Sequence, residues 1–333
     1  MRHAYGFDQV AYQVNGQQVA ADGTGHTIAI STAYHDPNIY NDLRTFNTTF
    51  GLSNLDGAGN YVLSVVLAPS GVQDANWALE TSLDVQWAHA VAPGAHILLV
   101  EAASISFSDL MGAVNYARYQ PGVVTVSMSW GTSEFAGEWN YDPYFQTPEG
   151  HVGGWGMYGG ITFVSAASDS GGSAGWPAIS PSVLSVGGTT LRVDQQGNYL
   201  GESAWSGGGG GPGKYMNNVA PFVAYAADPA IGYLVYSSTL YQGHSGWWTV
   251  GGNIAGAPQW AGLIAIVSQG RGYAGYGSLD GATQLIPQLL NLPQSDFNDI
   301  ANGENGTYAA ASGFDSVTGR GTPPPGRLRS SVT

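Results

Sequence analysis

Two carboxylates four residues apart are the first candidates for chemistry in this chain. Glu80 and Asp84 lie in the segment WALETSLDVQWAHAVAPGA, whose apolar residues have helical spacing, so both side chains project from one face of a helix. Two carboxyl groups held close together can share a proton, because repulsion raises the pKa of one of them. The alternative is a solvated helix face. Tryptophan, leucine and valine side chains crowd the same segment, which narrows such a face and favours the proton-sharing pair.

Asp169 is a third candidate acid. It follows the apolar segment ITFVSA and precedes two glycines, which predicts a position at the carboxyl edge of a parallel sheet. Open parallel sheets hold their functional sites at that edge. An aspartate there either forms a turn or acts as an acid of the site, and both interpretations stay open at this point.

Two further aspartates near the carboxyl terminus could bind a metal ion. Asp299 and Asp315 lie in glycine-rich segments within residues 295–325. Carboxylate and carbonyl oxygens in irregular loops are the ligands that calcium prefers. The alternative is a pair of turns in which each aspartate accepts hydrogen bonds from the neighbouring backbone.

The segment GGNIAGAPQWAGLIAIV, residues 251–267, combines a tight turn with a buried helix. Two glycines permit the turn, and Pro258 suits the first turn of a helix, where its missing N–H costs nothing. An apolar run follows. In such an arrangement the helix that follows the turn would hold a side chain at the turn in position for a functional site.

Together, these segments resemble the sedolisins, which are serine-carboxyl peptidases with a subtilisin-like fold. The matching turn of that family reads Gly-Thr-Ser-x-x-x-Pro, and its serine is the nucleophile, whereas this chain has Asn253 and Ile254 in place of the threonine and the serine. Isoleucine has no atom that can attack a carbonyl group. The resemblance covers nearly the whole chain and includes the segments RHAYGFD, VSMSWG around Trp130, SVGGTTL and TGRGTP.

The resemblance implies a role for each candidate acid. Glu80 corresponds to the general base, Asp84 to the acid that supports it, and Asp169 to the donor of the oxyanion hole. It also implies secretion and endopeptidase activity in acid. We expect a peptide or protein as substrate or ligand if the cleft is open, and a monomer.

The same resemblance resolves the metal question in favour of calcium. It implies one Ca²⁺ ion bound by two carboxylates and three main-chain carbonyl groups, those of Asp299, Asp315, Ile300, Ala311 and Gly313. Ala311 stands where the family has glycine, which a carbonyl ligand tolerates.

Other departures gather near the expected chemistry. Ser31 and Thr32 stand where the family has an acidic residue at the end of the first strand, Ser168 replaces a glycine, and Phe222 replaces the aspartate of a Pro-Asp-Val segment. Losses at several related positions favour a decayed or repurposed peptidase that keeps its scaffold, its calcium site and a peptide cleft.

Two alternatives remain beside this inactive homologue. One is an acid endopeptidase in which Glu80 and Asp84 activate a water molecule and Asp169 serves as the acid, although the Ile254 side chain occupies the space required. The other is a protein that binds carbohydrate or another small ligand on the same scaffold. This second alternative depends only on the content of 10 Trp and 19 Tyr.

Alternating strand and helix patterns must position these residues. Short apolar runs predict strands at residues 27–31, 61–67, 96–101, 123–128, 161–166 and 183–186, and apolar spacing predicts helices at 76–91, 109–119 and 257–267. This alternation predicts one α/β domain with a doubly wound, mostly parallel sheet and helices on both faces. The glycine-rich segment WSGGGGGPG is interpreted as an internal loop.

Composition narrows the possible partners and surroundings. Lys+Arg 9 against Asp+Glu 23 gives a net charge of −14, which argues against nucleic acid and anionic membranes as partners. The small number of basic residues limits self-repulsion in acid and suits acidic surroundings. The chain has no cysteine, so disulfides are excluded. Its first residues lack the apolar segment of a signal peptide, so for a secreted protein we expect a trimmed form.

Overall fold

A mostly parallel sheet forms the centre of the computed structural model, which describes residues 1–67 and 71–324. The strands of the described residues are β1 (Ala11–Val14), β2 (Gln17–Ala20), β3 (Thr27–Ala33), β4 (Leu63–Val66), β5 (His96–Ala102), β6 (Val123–Met128), β7 (Thr162–Ala166), β8 (Val183–Val193), β9 (Tyr199–Ala204), β10 (Gly211–Pro212), β11 (Val219–Ala220), β12 (Val223–Ala226), β13 (Tyr233–Tyr241) and β14 (His244–Val250). The central sheet has the strand order β12-β8-β7-β6-β3-β5-β4, and β9 pairs antiparallel with β8 beyond this path.

Helices cover both faces of this sheet, which confirms the predicted fold class. They are α1 (Ile39–Phe50), α2 (Ala75–Val91), α3 (Phe107–Arg118), α4 (Gly256–Tyr273) and α5 (Ile286–Asn291). Apolar side chains of α2 and α4 share one core with the sheet, and those of α3 share the core on the opposite face. Strands enclosed in this way read as mostly apolar runs, and all six residues of β6 are buried.

The predicted elements occur with small differences in their bounds. Strand β6 has the predicted bounds, and β3, β5 and α4 extend beyond theirs. Strand β8 continues to Val193 because its second half pairs with β9 after leaving the parallel sheet. The sequence patterns did not predict α1 or the hairpin of β13 and β14.

That hairpin packs on α2, the helix that carries Glu80 and Asp84. The Gln86 side chain makes two hydrogen bonds to the backbone of Tyr236, of 2.7 and 3.0 Å, and Trp87 Nε1 donates to the Leu234 carbonyl group at 3.0 Å. The amino terminus of α2 is capped by Asp74, whose carboxylate accepts from two backbone N–H groups. Hydrogen bonds therefore hold α2 both at its amino terminus and near its carboxyl end.

The residues after β6 and β7 are loops at the carboxyl edge of the sheet.

None of the described helices is both long and apolar enough to cross a lipid bilayer.

Candidate active site

A cleft of about 660 Å³ opens at the carboxyl edge of the sheet. One wall is residues 129–134, which follow β6, and another is residues 166–171, which follow β7. Ile254 and Lys214, the only lysine of the sequence, also line it. The predicted position of Asp169 at this edge is thus confirmed, since it lies in the second wall.

Glu80 and Asp84 lie next to each other on α2 and behind the cleft wall formed by Ser129. The Ser129 hydroxyl donates a 2.7 Å hydrogen bond to Asp84 Oδ1. Glu80 keeps some exposed surface as a residue, but its Oε1 is buried, as is Oδ2 of Asp84, and neither atom has a partner with good hydrogen-bond geometry. The solvated helix face is therefore excluded for this pair.

Burial and mutual repulsion govern the protonation of these two carboxyl groups. Burial raises the pKa of Glu80 well above its ordinary value, and the charges of Asp84 and Asp169 raise it further. Burial also raises the pKa of Asp84, while the hydrogen bonds from Ser129 and Glu80 oppose that change. Because two adjacent carboxylates repel each other when both are charged, the pair suits one shared proton.

Asp169 is joined to the turn that carries position 254. The Asn253 N–H donates to Asp169 Oδ1 at 2.5 Å, and the backbone of Ile254 also donates to this carboxylate. Although Asp169 is an exposed residue, the atoms of the cleft desolvate its carboxyl group. This desolvation outweighs the two backbone hydrogen bonds and raises the pKa of Asp169 to about 6.

Glycine at position 252 is what allows this close approach. Gly252 has a φ of 126°, and a Cβ there would lie 2.5 Å from Asp169 Oδ2 and 3.0 Å from Ile254 Cγ1. The following residue, Asn253, is buried and its Nδ2 donates to the Ser168 carbonyl group at 2.8 Å. The turn is therefore held by main-chain and side-chain contacts that involve no hydroxyl group at position 254.

Ile254 occupies the position where the sequence predicts a lost nucleophile. Its side chain is half-buried and lines the cleft, and its carbonyl oxygen lies 3.2 Å from the Ser129 hydroxyl. The structure thus brings Glu80, Asp84, Asp169 and Ile254 into one site. Ser129 precedes Trp130 but was not predicted as a site residue, because nothing in the local sequence indicates its contact with Asp84.

Thr32 and Phe222, two further positions that differ from the family pattern, lie in different surroundings. Thr32 is buried at the end of β3 with its hydroxyl oxygen unpartnered, and it pairs in register with Glu101 of β5. Phe222 does not line the cleft; it borders a separate groove beside Met216 and Leu290. The replacement at position 222 is therefore outside the cleft lining.

All five predicted calcium ligands belong to one cluster of loops. The Gly313 N–H donates to Asp299 Oδ1 at 3.0 Å, and the Ala311 N–H donates to Asp315 Oδ2 at 3.2 Å. The Thr318 hydroxyl, 2.8 Å from Asp315 Oδ2, lies 3.5 Å from the Ile300 carbonyl oxygen. Residue 325, the last of the predicted metal loops, is outside the described part of the chain.

The carboxylate and carbonyl oxygens of this cluster are the types of ligand that calcium prefers. Among residues 1–67 and 71–324, no group of three acidic, histidine or cysteine side chains is arranged to hold a metal ion. The cluster has two carboxylates, and both accept hydrogen bonds from the backbone, as the alternative of aspartate turns also predicts.

Comparisons with curated proteins find relatives among peptidases. Kumamolisin from Bacillus sp. (strain MN-32) is 30% identical over 358 residues, which cover 91% of this chain and 59% of kumamolisin. Sedolisin from Pseudomonas sp. (strain 101) is 28% identical over 178 residues, covering 45% of this chain and 29% of sedolisin. Tripeptidyl-peptidase 1 from Dictyostelium discoideum is 25% identical, covering 95% of this chain and 56% of that protein. The chain thus spans less than two thirds of the length of these relatives.

Comparison with solved structures supports the same fold. Pseudomonas sedolisin, a serine-carboxyl proteinase complexed with two molecules of pseudo-iodotyrostatin, matches with a TM-score of 0.78 and 22% identity, over 98% of this chain and 95% of that chain. Sphericase matches with a TM-score of 0.53 and 20% identity, over 91% and 92% of the two chains. No family model matches the sequence.

Proposed function

Because this chain belongs to the sedolisin family of serine-carboxyl peptidases, we propose that it is a homologue that binds peptides in the cleft but lacks the nucleophile. The proposal depends on the presence of isoleucine at position 254. Its side chain lines the cleft beside Asp169, at the position from which a serine would attack. Nucleophilic catalysis requires an atom that attacks the carbonyl carbon and later leaves, and isoleucine has none.

The remaining groups have the positions that peptide binding requires. An extended peptide would lie along residues 129–134, which form one wall of the cleft. The Asp169 carboxyl group, with its raised pKa, is protonated in acid and would donate to a substrate carbonyl oxygen. Glu80 and Asp84 would hold a proton behind Ser129. Binding and orientation persist, while formation of an acyl-enzyme does not.

A calcium ion would act at a distance from this chemistry. The carboxylates of Asp299 and Asp315 and the carbonyl groups of Ile300, Ala311 and Gly313 would hold it. When bound, it would join the carboxyl-terminal loops to each other and stabilise them. By family resemblance, we propose that the protein is secreted. We also propose that it is a monomer suited to acidic surroundings, because its 9 Lys and Arg residues limit self-repulsion in acid.

Peptide binding tests this proposal without any need for turnover. The probe is an acetylated and amidated octapeptide with central leucine and phenylalanine residues, titrated at pH 4.5 by calorimetry. Ser173, an exposed residue that lines the cleft, would be replaced by tryptophan to fill it. Ser108→Trp is the matched control, because Ser108 is exposed on α3 and does not line the cleft. We expect Ser173→Trp to weaken binding at least tenfold and Ser108→Trp to leave it unchanged; equal affinities would contradict binding in the cleft.

A second candidate function, acid endopeptidase activity, is favoured by one observation. The Ser129 hydroxyl lines the cleft and donates to a carboxylate, as the nucleophile of a serine-carboxyl peptidase must. Against this, Ser129 is only 5% exposed, and its oxygen also lies against the Ile254 carbonyl group. Assays of proteolysis with a Ser129 variant separate the two functions.

A further inference from the structure

We propose that this protein has a second, independent site: a Ser64–His96–Asp56 triad that hydrolyses small neutral carboxylic esters. His96 Nε2 lies 2.9 Å from the Ser64 hydroxyl oxygen, and His96 Nδ1 lies 3.3 Å from Asp56 Oδ2. A nucleophile in hydrogen-bond contact with a base, which a third group orients, is the arrangement of serine hydrolases on many unrelated folds.

Pairing of β4 with β5 places the serine and the histidine together. The two strands are parallel, with Leu63 opposite Ile97. Ser64 follows Leu63, and His96 precedes Ile97, so both side chains project from the face opposite to that of the Leu63–Ile97 pair. Because β4 is the last strand on this side of the sheet, the pair lies at its border.

The loop before β4 holds Asp56 in a fixed orientation. Asp56 Oδ1 accepts from the N–H groups of Ala58 and Asn60, each at 2.9 Å, which leaves Oδ2 for His96. The Gly57 N–H donates to the Gly94 carbonyl group at 2.9 Å and ties this loop to the start of β5. The Asp56 carboxylate, 3.3 Å from Nδ1, thus favours the tautomer with its proton on that nitrogen, which leaves Nε2 free to accept the serine proton.

Solvent exposure increases along the triad from the aspartate to the histidine. The Asp56 side chain is 7% exposed and that of His96 is 25% exposed. Ser64 is half-buried on the border strand. The orienting carboxylate is thus shielded from water, while the base and the nucleophile reach the solvent.

The three residues line one open pocket of about 520 Å³. Tyr61 and Ala58 add apolar surface to it, and Asn60 also belongs to its lining. No lysine or arginine belongs to the described lining, so an anionic substrate would find no fixed cation there. An uncharged ester with a small acyl group fits this surface. The pocket contains the starts of β3 and β5, at the sheet edge opposite to the cleft.

The reaction balances with groups that the site and water supply. The Ser64 oxygen bonds to the ester carbonyl carbon while its proton moves to His96 Nε2. The carbon–oxygen bond to the alcohol then breaks, and the alcohol leaves with that proton. Water attacks the acyl-serine, with His96 again accepting a proton and returning it to Ser64 as the carboxylic acid departs.

Labelling with a fluorophosphonate, followed by mass spectrometry of the peptides, tests the proposal directly. We expect the label on the peptide that contains Ser64 in the unaltered protein, and its loss in Ser64→Ala. Hydrolysis of 4-nitrophenyl acetate should fall at least tenfold in Ser64→Ala and in Asp56→Asn, which keeps the shape of the side chain. Ser108→Ala, which removes an exposed hydroxyl on α3, should retain the full rate.

These outcomes separate this site from the cleft. Label on Ser64 with no digestion of peptides would support the triad and leave the inactive-peptidase proposal intact. An unlabelled Ser64, or ester hydrolysis that Ser64→Ala does not reduce, would overturn the triad. Circular dichroism of each variant checks the fold, and Ser64→Ala removes only one oxygen atom.

Discussion

The Asn253 N–H donates a 2.5 Å hydrogen bond to the Asp169 carboxylate. This contact joins the turn before α4 to the loop after β7, and it involves only the backbone of the turn. The geometry of the turn thus persists although isoleucine follows it. A residue placed at position 254 is presented to the cleft in a fixed orientation.

Restoring the hydroxyl groups should therefore restore some activity. We expect Ile254→Ser combined with Asn253→Thr to cleave casein at pH 4, and we expect a low rate because Thr32, not the acidic residue that the resemblance leads us to expect, lies near the end of β3. The matched control is Ile254→Ala with Asn253→Thr, which opens the same space but adds no nucleophile. A double revertant as inactive as this control, with an ordered fold, would show that loss of function extends beyond position 254.

Glu80 should make stability depend on pH. Its folded pKa lies above its unfolded value of about 4.3, so its favourable contribution is complete below that value and is lost as pH rises through the folded pKa. Glu80→Gln cannot ionise, and its melting temperature relative to the unaltered protein should rise between pH 4 and pH 8. Scanning calorimetry at each pH measures this difference. Glu149→Gln, an exposed change, is the control; parallel curves for Glu80→Gln and the unaltered protein would exclude the pKa shift.

Calcium should stabilise the fold by mass action. An ion that binds only the folded chain at a concentration 100-fold above its Kd contributes about 2.7 kcal/mol. A chelator should accordingly lower the melting temperature at pH 7, and Asp299→Asn and Asp315→Ala should each remove that effect. Asp296→Ala, at a nearby aspartate outside the predicted ligand set, should keep it. Melting curves that the chelator leaves unchanged would exclude the calcium site and favour simple aspartate turns.

Trp176 supports the cleft from behind. It is fully buried among aromatic rings, with centroids 4.9 Å from Phe107 and 5.6 Å from Phe145, and its backbone exchanges two hydrogen bonds with Thr132 of the cleft wall. We expect Trp176→Ala to lower the free energy of unfolding by about 3–5 kcal/mol. Denaturant titration measures the change. Trp139→Ala, at a residue 51% exposed, should change it by less than about 0.5 kcal/mol; equal effects would place Trp176 outside the core.

Elements with a strong local signal could be predicted from the sequence. Val123–Met128 reads as a short, mostly apolar run after Gly122, the pattern of a strand buried on both faces. The hairpin of β13 and β14 mixes aromatic and polar residues, because one side packs on α2 and the other faces solvent. Its pattern therefore resembles loop sequence, and only contact with Gln86 and Trp87 explains its place.

Contacts between distant segments limited the prediction of the site. Glu80 and Asp84 could be paired because four residues on a helix share one face. Ser129 and Asp84 are 45 residues apart, and nothing in either segment indicates that they meet. The Ser64–His96–Asp56 arrangement likewise depends on the pairing of β4 with β5, which no local spacing reveals.

Digestion of casein at pH 3–5 by the purified protein tests the central claim, the absence of a working nucleophile in the cleft. We predict no release of peptides above the level of Glu80→Gln and Ser129→Ala, and no fluorophosphonate label on peptides that contain residues 129 or 254. Digestion that either substitution abolishes, or a label on Ser129, would contradict the account, because it would show acyl-enzyme chemistry in the cleft despite Ile254.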